Sequence, residues 1–420
     1  SARKDFEGSD LIVADGQTVT YGSPTLRFTH RTARVTIVLT DYTEGLASVR
    51  LTGLSTEGGN PAEITPYDKG SNTYTALVAP QSVVAGTAFI TCTFTNGKTF
   101  VYKMKNATDW QAGGEYTYTV SLTAAKDPGY TIEGNGSYTV TSADGLMHVA
   151  DLVNGGKTDI NITLDKNIDL TGKGWTPIGT SFDNSYKGTF DGGGHTITGL
   201  TVTTNDQFVG LFGYLNRAGT VKNVVMEGIQ ITSNHMFGCT GGVVGYSWGT
   251  IENCSVSGSV SGTDCVGGVV GSQKAGSIIG CSSSATVKGK HYVGGVAGEK
   301  WGTMTACYAT GNVTLEIASQ KNNFGGGVVG LNGGSRVLAC YATGNVTSTG
   351  SSTGNVHIGG LFGDSYTTVT ACYWKNNQER GYKTAPESTK VDGTYVTWQK
   401  AVDAMNTALQ NAGSEWRYEL

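Results

Sequence analysis

The chain reads as all-β: an N-terminal antiparallel β-sandwich followed by a parallel β-helix, a solenoid, with short helical caps. Three observations predict this. Glycine fills 63 of 420 positions, about twice the usual ~7 %, as expected of a chain that turns corners at short intervals. A glycine-rich phrase recurs six times after Phe208. Within each copy of that phrase, and in short runs through residues 1–127, apolar and polar residues alternate, and the copies show no 3.6-residue period. Charged residues make up only 15 % and the net charge is −4. No basic stripe is available to neutralise a phosphate backbone, so nucleic acid is not an expected partner. No apolar run approaches the ~18 residues of a membrane-spanning helix.

The first element is the sandwich, residues 1–127. Leu26, Phe28 and His30 alternate with polar residues, as do Val35, Ile37 and Leu39, then Ala88, Ile90, Cys92 and Phe94, then Tyr116, Tyr118, Val120 and Leu122. Asn96-Gly97 stands between two such runs and signals a hairpin turn. About seven short strands with turns every 8 to 12 residues are the pattern of a sandwich.

The second element, residues 128–382, holds the repeat. The phrase reads Val209-Gly210-Leu211-Phe212-Gly213 in its first copy and Gly241-Gly242-Val243-Val244-Gly245 in its second. It returns at Gly267-Gly268-Val269-Val270-Gly271, Gly294-Gly295-Val296-Ala297-Gly298, Gly326-Gly327-Val328-Val329-Gly330 and Gly359-Gly360-Leu361-Phe362-Gly363. Most copies are followed by Gly-Thr/Ser-apolar and then a cysteine: Cys254, Cys281, Cys307, Cys340 and, in the last copy, Cys372. The first copy has Val224 there. A repeat this short cannot bury its own apolar side, so copies must stack with equivalent strands paired in parallel at the ~4.8 Å strand spacing. Val243, Val269, Val296, Val328 and Leu361 then form one internal file. A propeller is the alternative, but its blades usually need ~40–50 residues.

Helices are expected at both ends. Ser142 is a suitable N-cap for a helix carrying Leu146, Val149 and Val153 on one face, with Gly155 just past its end. Residues 383–420 are expected to form a C-terminal helical cap, with Trp398, Val402, Met405 and Leu409 on one stripe and Gly413 terminating it. Such caps would hide open strand edges.

The repeat resembles the GLUG motif of bacterial surface proteins, over roughly residues 137–382. The upstream phrases Trp175-Thr176-Pro177-Ile178-Gly179 and Lys187 to Leu200 resemble the coils that precede such repeats. In the first module, Leu26 to Val35, Ala79-Pro80-Gln81 and Gly113-Gly114-Glu115-Tyr116-Thr117-Tyr118 resemble the fimbrillin-like family of surface and pilus proteins. These resemblances imply display at the cell surface, anchored to the outer membrane through a lipid anchor. A further sandwich and that anchor are expected to precede residue 1.

Catalytic signatures are sparse. Neither a Walker loop nor His-Glu-x-x-His or Cys-x-x-Cys occurs, and no catalytic residue, cofactor or metal is assigned. Between Val209 and Asp364 the only carboxylates are Glu227, Glu252, Asp264, Glu299, Glu316 and Asp364. Aligned by the repeat, none shares a column with a neighbouring copy, whereas a glycan-cleaving β-helix needs converging acids. The inward cysteine column reads as a file of small hydrophobes. Cys239 and Cys265 share a second column and are the candidate disulfide, although in-register strands set Cβ atoms slightly beyond the comfortable ~3.5–4.5 Å.

Aromatic side chains supply the candidate ligand-binding residues. Tyr308, Tyr341 and Tyr373 follow the core cysteines and should form an outward ladder. Tyr292, Phe324 and His357 form another column. Trp248 and Trp301 occupy equivalent turns with Ala275 between them, and Lys274 and Lys300 stand nearby as hydrogen-bond donors. The expected function is a non-enzymatic adhesin or fimbria-associated subunit whose partner is a host protein, a glycan or another fimbrial subunit. A carbohydrate-active enzyme and a purely structural stalk are the alternatives.

Overall fold

The computed structural model describes residues 12–420 apart from 15, 18–21, 23–25, 96–97, 124–127, 318–321, 352–353 and 382–387. The chain divides into two compact units, residues 1–127 and 128–420. The Asn96-Gly97 turn lies outside the described residues, but the strands that flank it, Ala88–Phe94 and Thr99–Lys103, pair antiparallel as a hairpin requires.

In the first unit, a four-stranded sheet runs in the order Glu115–Ser121, Ala33–Thr40, Thr73–Val78, Tyr67–Gly70. It packs on a three-stranded sheet of Leu46–Leu51, Ala88–Phe94 and Thr99–Lys103. Alternation explains the core: Ala33, Val35, Ile37 and Leu39 are all buried and meet Phe89, Ile90, Cys92 and Phe94 of the other sheet. Trp110 is fully enclosed, and its indole N–H donates to the Tyr118 hydroxyl at 2.9 Å, so the polar end of a large ring is not left unpaired. Two expectations need correction. Glu115–Ser121 pairs parallel with Ala33–Thr40, the exception in otherwise antiparallel sheets. Leu26 and Phe28 are 48 % and 63 % exposed, because Thr29–His30 pairs with the two-residue strand Ile12–Val13 outside the two main sheets.

The second unit is a parallel β-solenoid of about seven turns. Each coil crosses four parallel sheets. One coil passes through Thr250–Glu252, Ser255–Ser261, Cys265–Gly267 and Val270–Gln273 in succession, and each strand pairs in register with its counterpart in the next coil. Val243, Val269, Val296, Val328 and Leu361 are completely buried. The amide of each of the first four donates to the carbonyl of the next at 2.8–2.9 Å, so the file is internal and continuous. The cysteine column, with Val224 as its first member, is equally buried.

One corner of the coil demands a left-handed backbone. Asn223, Asn253, Gly280, Ala306, Ala339 and Ala371 have φ between 49° and 60°. Asparagine and glycine tolerate this region; an alanine there costs about 1 kcal/mol. The two asparagines are linked side chain to side chain at 2.8 Å. The alanines are explained by what covers them, as described next.

Helix α1 (Ala143–Asn154) starts at Ser142, whose hydroxyl accepts from the Gly145 amide, and buries Leu146, Val149, Ala150 and Val153 against the first coils. Helix α2 (Trp398–Asn411) begins at Thr397, which caps the Lys400 amide. It does not close the far end. Val402, Met405 and Leu409 pack instead on Ala306, Leu338 and Ala339, along the flank of the solenoid. Small residues at that corner let the helix approach. The last coil is covered by other means: Trp374 lies on Gly360, the amides of Gly360 and Leu361 donate to the carbonyls of Arg380 and Gly381, and Ser388–Lys390 adds a final strand. No described helix is long and apolar enough to cross a membrane.

Candidate functional site

The third and fourth strands of each coil approach so closely that only glycine fits between them. A Cβ on Gly245 would lie 2.5 Å from the Val209 amide nitrogen and 2.9 Å from the Cys239 carbonyl oxygen. The Gly-Gly-apolar bend of each repeat therefore folds the two sheets against one another, and the side chains flanking the bend meet along a seam. One edge of the seam carries Phe208, Cys239, Cys265, Tyr292, Phe324 and His357. The other carries Tyr214, Tyr246, Ser272, Glu299, Leu331 and Asp364.

The character of the seam changes along its length. At its start Phe208, Tyr214 and Tyr246 form an aromatic cluster with ring centroids 4.9–5.6 Å apart. In the middle stands Glu299, only 7 % exposed. It accepts from Ser272 Oγ at 2.8 Å, Lys274 Nζ at 2.5 Å and Trp301 Nε1 at 2.6 Å, and Cys265 Sγ lies 3.7 Å away. Burial alone would raise its pKa, but the bonds from Lys274, Trp301 and Ser272 outweigh burial and hold the carboxyl below its ordinary value. At the far end Asp364 lies 3.2 Å from His357 Nδ1 and accepts the Tyr366 hydroxyl at 2.9 Å. Glu299 and Asp364 are thus two coils apart with Leu331 between them.

The candidates that the sequence suggests fare unequally. Trp301 is 42 % exposed, whereas Trp248 is half-buried beneath the Arg217 guanidinium at 5.7 Å. The residue between these two indoles is Lys274, not Ala275, because the third coil holds one extra residue in its turn; Ser247, Gln273 and Lys300 are in register. Lys274 stands 5.9 Å from the Tyr246 ring centroid, so it occupies the expected recess. Lys300 cannot donate to an external ligand. Strand alternation turns it inward; it is completely buried, and its ammonium donates to Asn332 Oδ1 at 2.8 Å and to the Ser335 carbonyl. Burial pushes that ammonium down to about 7.

Tyr308, Tyr341 and Tyr373 do form a register-matched ladder, the first two rings parallel at 4.8 Å. It is not an open face: Trp398 and Tyr418 pack edge-on against it. Cys239 and Cys265 face each other in register on neighbouring coils, both as thiols. Among the described residues no cluster of three His, Cys, Asp or Glu side chains could hold a metal ion. Sequence patterning does not single out Glu299, Asp364 or Tyr366 as site residues. A signal is nonetheless present, since Gly298-Glu299-Lys300-Trp301 and Gly363-Asp364-Ser365-Tyr366 align on their glycines with the same acid-x-aromatic order.

Fold and seam together define a sandwich module joined to a repeat-built parallel solenoid. More particularly, residues 1–133 match the fimbrillin-like family, and residues 238–261 match the GLUG motif. The chain carries a fimbrillin-like domain and GLUG repeats. It is 41 % identical over 105 residues to halomucin of Haloquadratum walsbyi, which covers 25 % of this chain and 1 % of that protein. It is 35 % identical over 97 residues to a "Putative Gly-rich membrane protein" of Evansella cellulosilytica, covering 23 % of this chain and 11 % of that one. The chain therefore spans only a small part of either relative's length. Among solved structures, a "putative immunoglobulin A1 protease" from Bacteroides ovatus shares the fold with a TM-score of 0.54 and 20 % identity, over 66 % of this chain and 88 % of that one.

Proposed function

We propose that this chain is a non-enzymatic cell-surface adhesin or fimbria-associated subunit, held at the outer membrane by a lipid anchor, whose solenoid presents its outer seam to a host protein or glycan. The fimbrillin-like module supports placement at the surface. The observation that carries the binding role is the way the seam uses its polar groups. Glu299 is saturated by Ser272, Lys274 and Trp301, and Asp364 by Tyr366, His357 and the Ser365 amide. Both carboxylates are buried. Neither is positioned to give or take a proton from a substrate, but both orient aromatic side chains that do reach solvent.

The test is a screen of the full chain against arrays of glycans and matrix proteins, run beside polysaccharide- and protein-degradation assays. Saturable binding without turnover is expected. Turnover abolished by Glu299→Gln would make the protein an enzyme, and the absence of any binding partner would leave a structural stalk; either result overturns the proposal.

A further inference from the structure

The turn after the fourth sheet places Trp248, Lys274, Trp301, Gly333 and Tyr366 at one position in successive coils. Backbone bonds fix that register: the amides of Trp301, Gly333 and Tyr366 donate to the carbonyls of Gln273, Lys300 and Asn332, each at 2.9 Å. Trp301 and Tyr366 are 42 % and 69 % exposed. Each is anchored by the acid two residues before it, the indole N–H on Glu299 Oε1 at 2.6 Å and the phenol on Asp364 Oδ2 at 2.9 Å. Gly333 stands between them. A Cβ there would lie 2.8 Å from the indole of Trp301, so the ring leans over the fifth coil only because that position has no side chain.

We propose that Trp301 and Tyr366, oriented by Glu299 and Asp364, form a stacking platform for two units of a neutral polysaccharide. The proposal rests on the surface-binding reading above and names its ligand class. The backbone positions that carry the two rings are two coils, roughly 9.6 Å, apart along the solenoid axis. The indole leans over the intervening coil, so the rings lie closer than that, on the scale of neighbouring units of an extended glycan. Their N–H and O–H groups are committed to the carboxylates, so what they offer a ligand is ring surface, which suits the C–H face of a pyranose. Lys274 compensates the charge of Glu299 at 2.5 Å, so that part of the platform does not call for a charged partner. Two pinned rings lose little conformational freedom on binding, which favours a weak, rigid, repetitive ligand.

The experiment titrates the full chain with cellohexaose, xylohexaose, mannohexaose and chitohexaose, following calorimetric heat and tryptophan fluorescence. At least one hexasaccharide should bind with a shift in indole emission, and the matching monosaccharide should bind at least tenfold more weakly. Trp301→Ala and Tyr366→Ala should each weaken binding tenfold or more while the chain still unfolds cooperatively at a slightly lower melting temperature, since both rings are exposed but each removal takes one hydrogen bond from a buried carboxylate. Gly333→Ala, whose backbone needs no left-handed conformation, should do the same by displacing the indole. If no hexasaccharide binds, or if the variants bind as tightly as the parent, the platform is wrong. If no hexasaccharide binds, but the parent and all three variants bind a matrix protein, the adhesin reading stands and the saccharide site alone falls.

Discussion

Tyr418 donates its hydroxyl to the Ala339 carbonyl at 2.8 Å, tying the end of the chain to a solenoid corner 79 residues earlier. The neighbouring Asn406 fixes the same segment in both directions, donating to the Tyr418 carbonyl at 2.9 Å and accepting from its amide at 2.8 Å. The C-terminal segment thus runs back along the corner column, with Trp416 against Gly280 and α2 over Ala306 and Ala339. It acts as a strap along the stacked coils, not as a lid on the last one.

Gly280→Ala should dislodge that strap. A Cβ at this position would lie 2.3 Å from the Trp416 ring, and φ is already +60°, so the substitution combines strain with a clash. A loss of about 1–3 kcal/mol in urea denaturation is expected, with a red shift in Trp416 emission. Ala306→Gly, which relieves strain at the equivalent corner of the next coil, should be close to neutral. Equal losses in both variants would show that corner strain has no part in the effect.

Lys300 should make stability rise with pH on the alkaline side of neutrality. Below pH 7 its ammonium is protonated in both states and the cost of burying it is carried in full. Above about 7 the folded chain sheds the proton while the unfolded lysine keeps it until ~10.4. The unfolded state then binds more protons, and stability climbs by up to about 1.4 kcal/mol per pH unit within that window. Melting temperatures from pH 6.5 to 9.5 should rise in the parent, and the slope should flatten in Lys300→Met. A slope unchanged by the substitution would place the titration elsewhere.

Glu299 should govern the acid side. Its carboxyl is held below its ordinary value, so its contribution is present above the unfolded carboxyl range and disappears as pH falls through the folded value. Glu299→Gln should cost about 1–3 kcal/mol at pH 7 and much less at pH 3, measured by chemical denaturation. The same cost at both pH values would mean that shape, not charge, matters at this position.

Cys307→Ser probes the inward cysteine file. The thiol lies 3.2 Å from the Thr305 carbonyl and 3.6 Å from that of Ile278, and burial pushes its pKa up. A hydroxyl would find an acceptor there, so the penalty should stay at about 1 kcal/mol and glycan binding should not change. A much larger loss would show that the packing of sulfur between coils, more than hydrogen bonding, holds this column together.

Much of the architecture was legible because the repeat aligns itself. Equivalent positions in six copies must contact one another if the copies stack, so the Val243-to-Leu361 file and the cysteine column followed from spacing alone. The N-terminal core was readable through period-two burial at Val35, Ile37 and Leu39. Leu26 and Phe28 show the same alternation without the same burial, because alternation records which residues share a face but not whether another sheet lies against it. The candidate site was harder to read. One extra residue in the third coil replaced Ala275 by Lys274 in the column, and a one-residue shift exchanges inward and outward faces.

The sequence by itself determined the two modules, the parallel stacking, the extent of both helices along the chain and the glycines that mark the corners of the repeat. These are properties of local periodicity and of self-similarity, and need no knowledge of distant contacts. Tertiary structure alone decided which side chains reach the outside. Lys300 turned inward and Trp301 outward on adjacent residues because the strand pleat alternates. The tyrosine ladder was covered because α2, capped and amphipathic as expected, found its apolar partner on the alanine corner of the flank. A helix's apolar stripe states that it must be buried; only the folded chain supplies the surface that buries it.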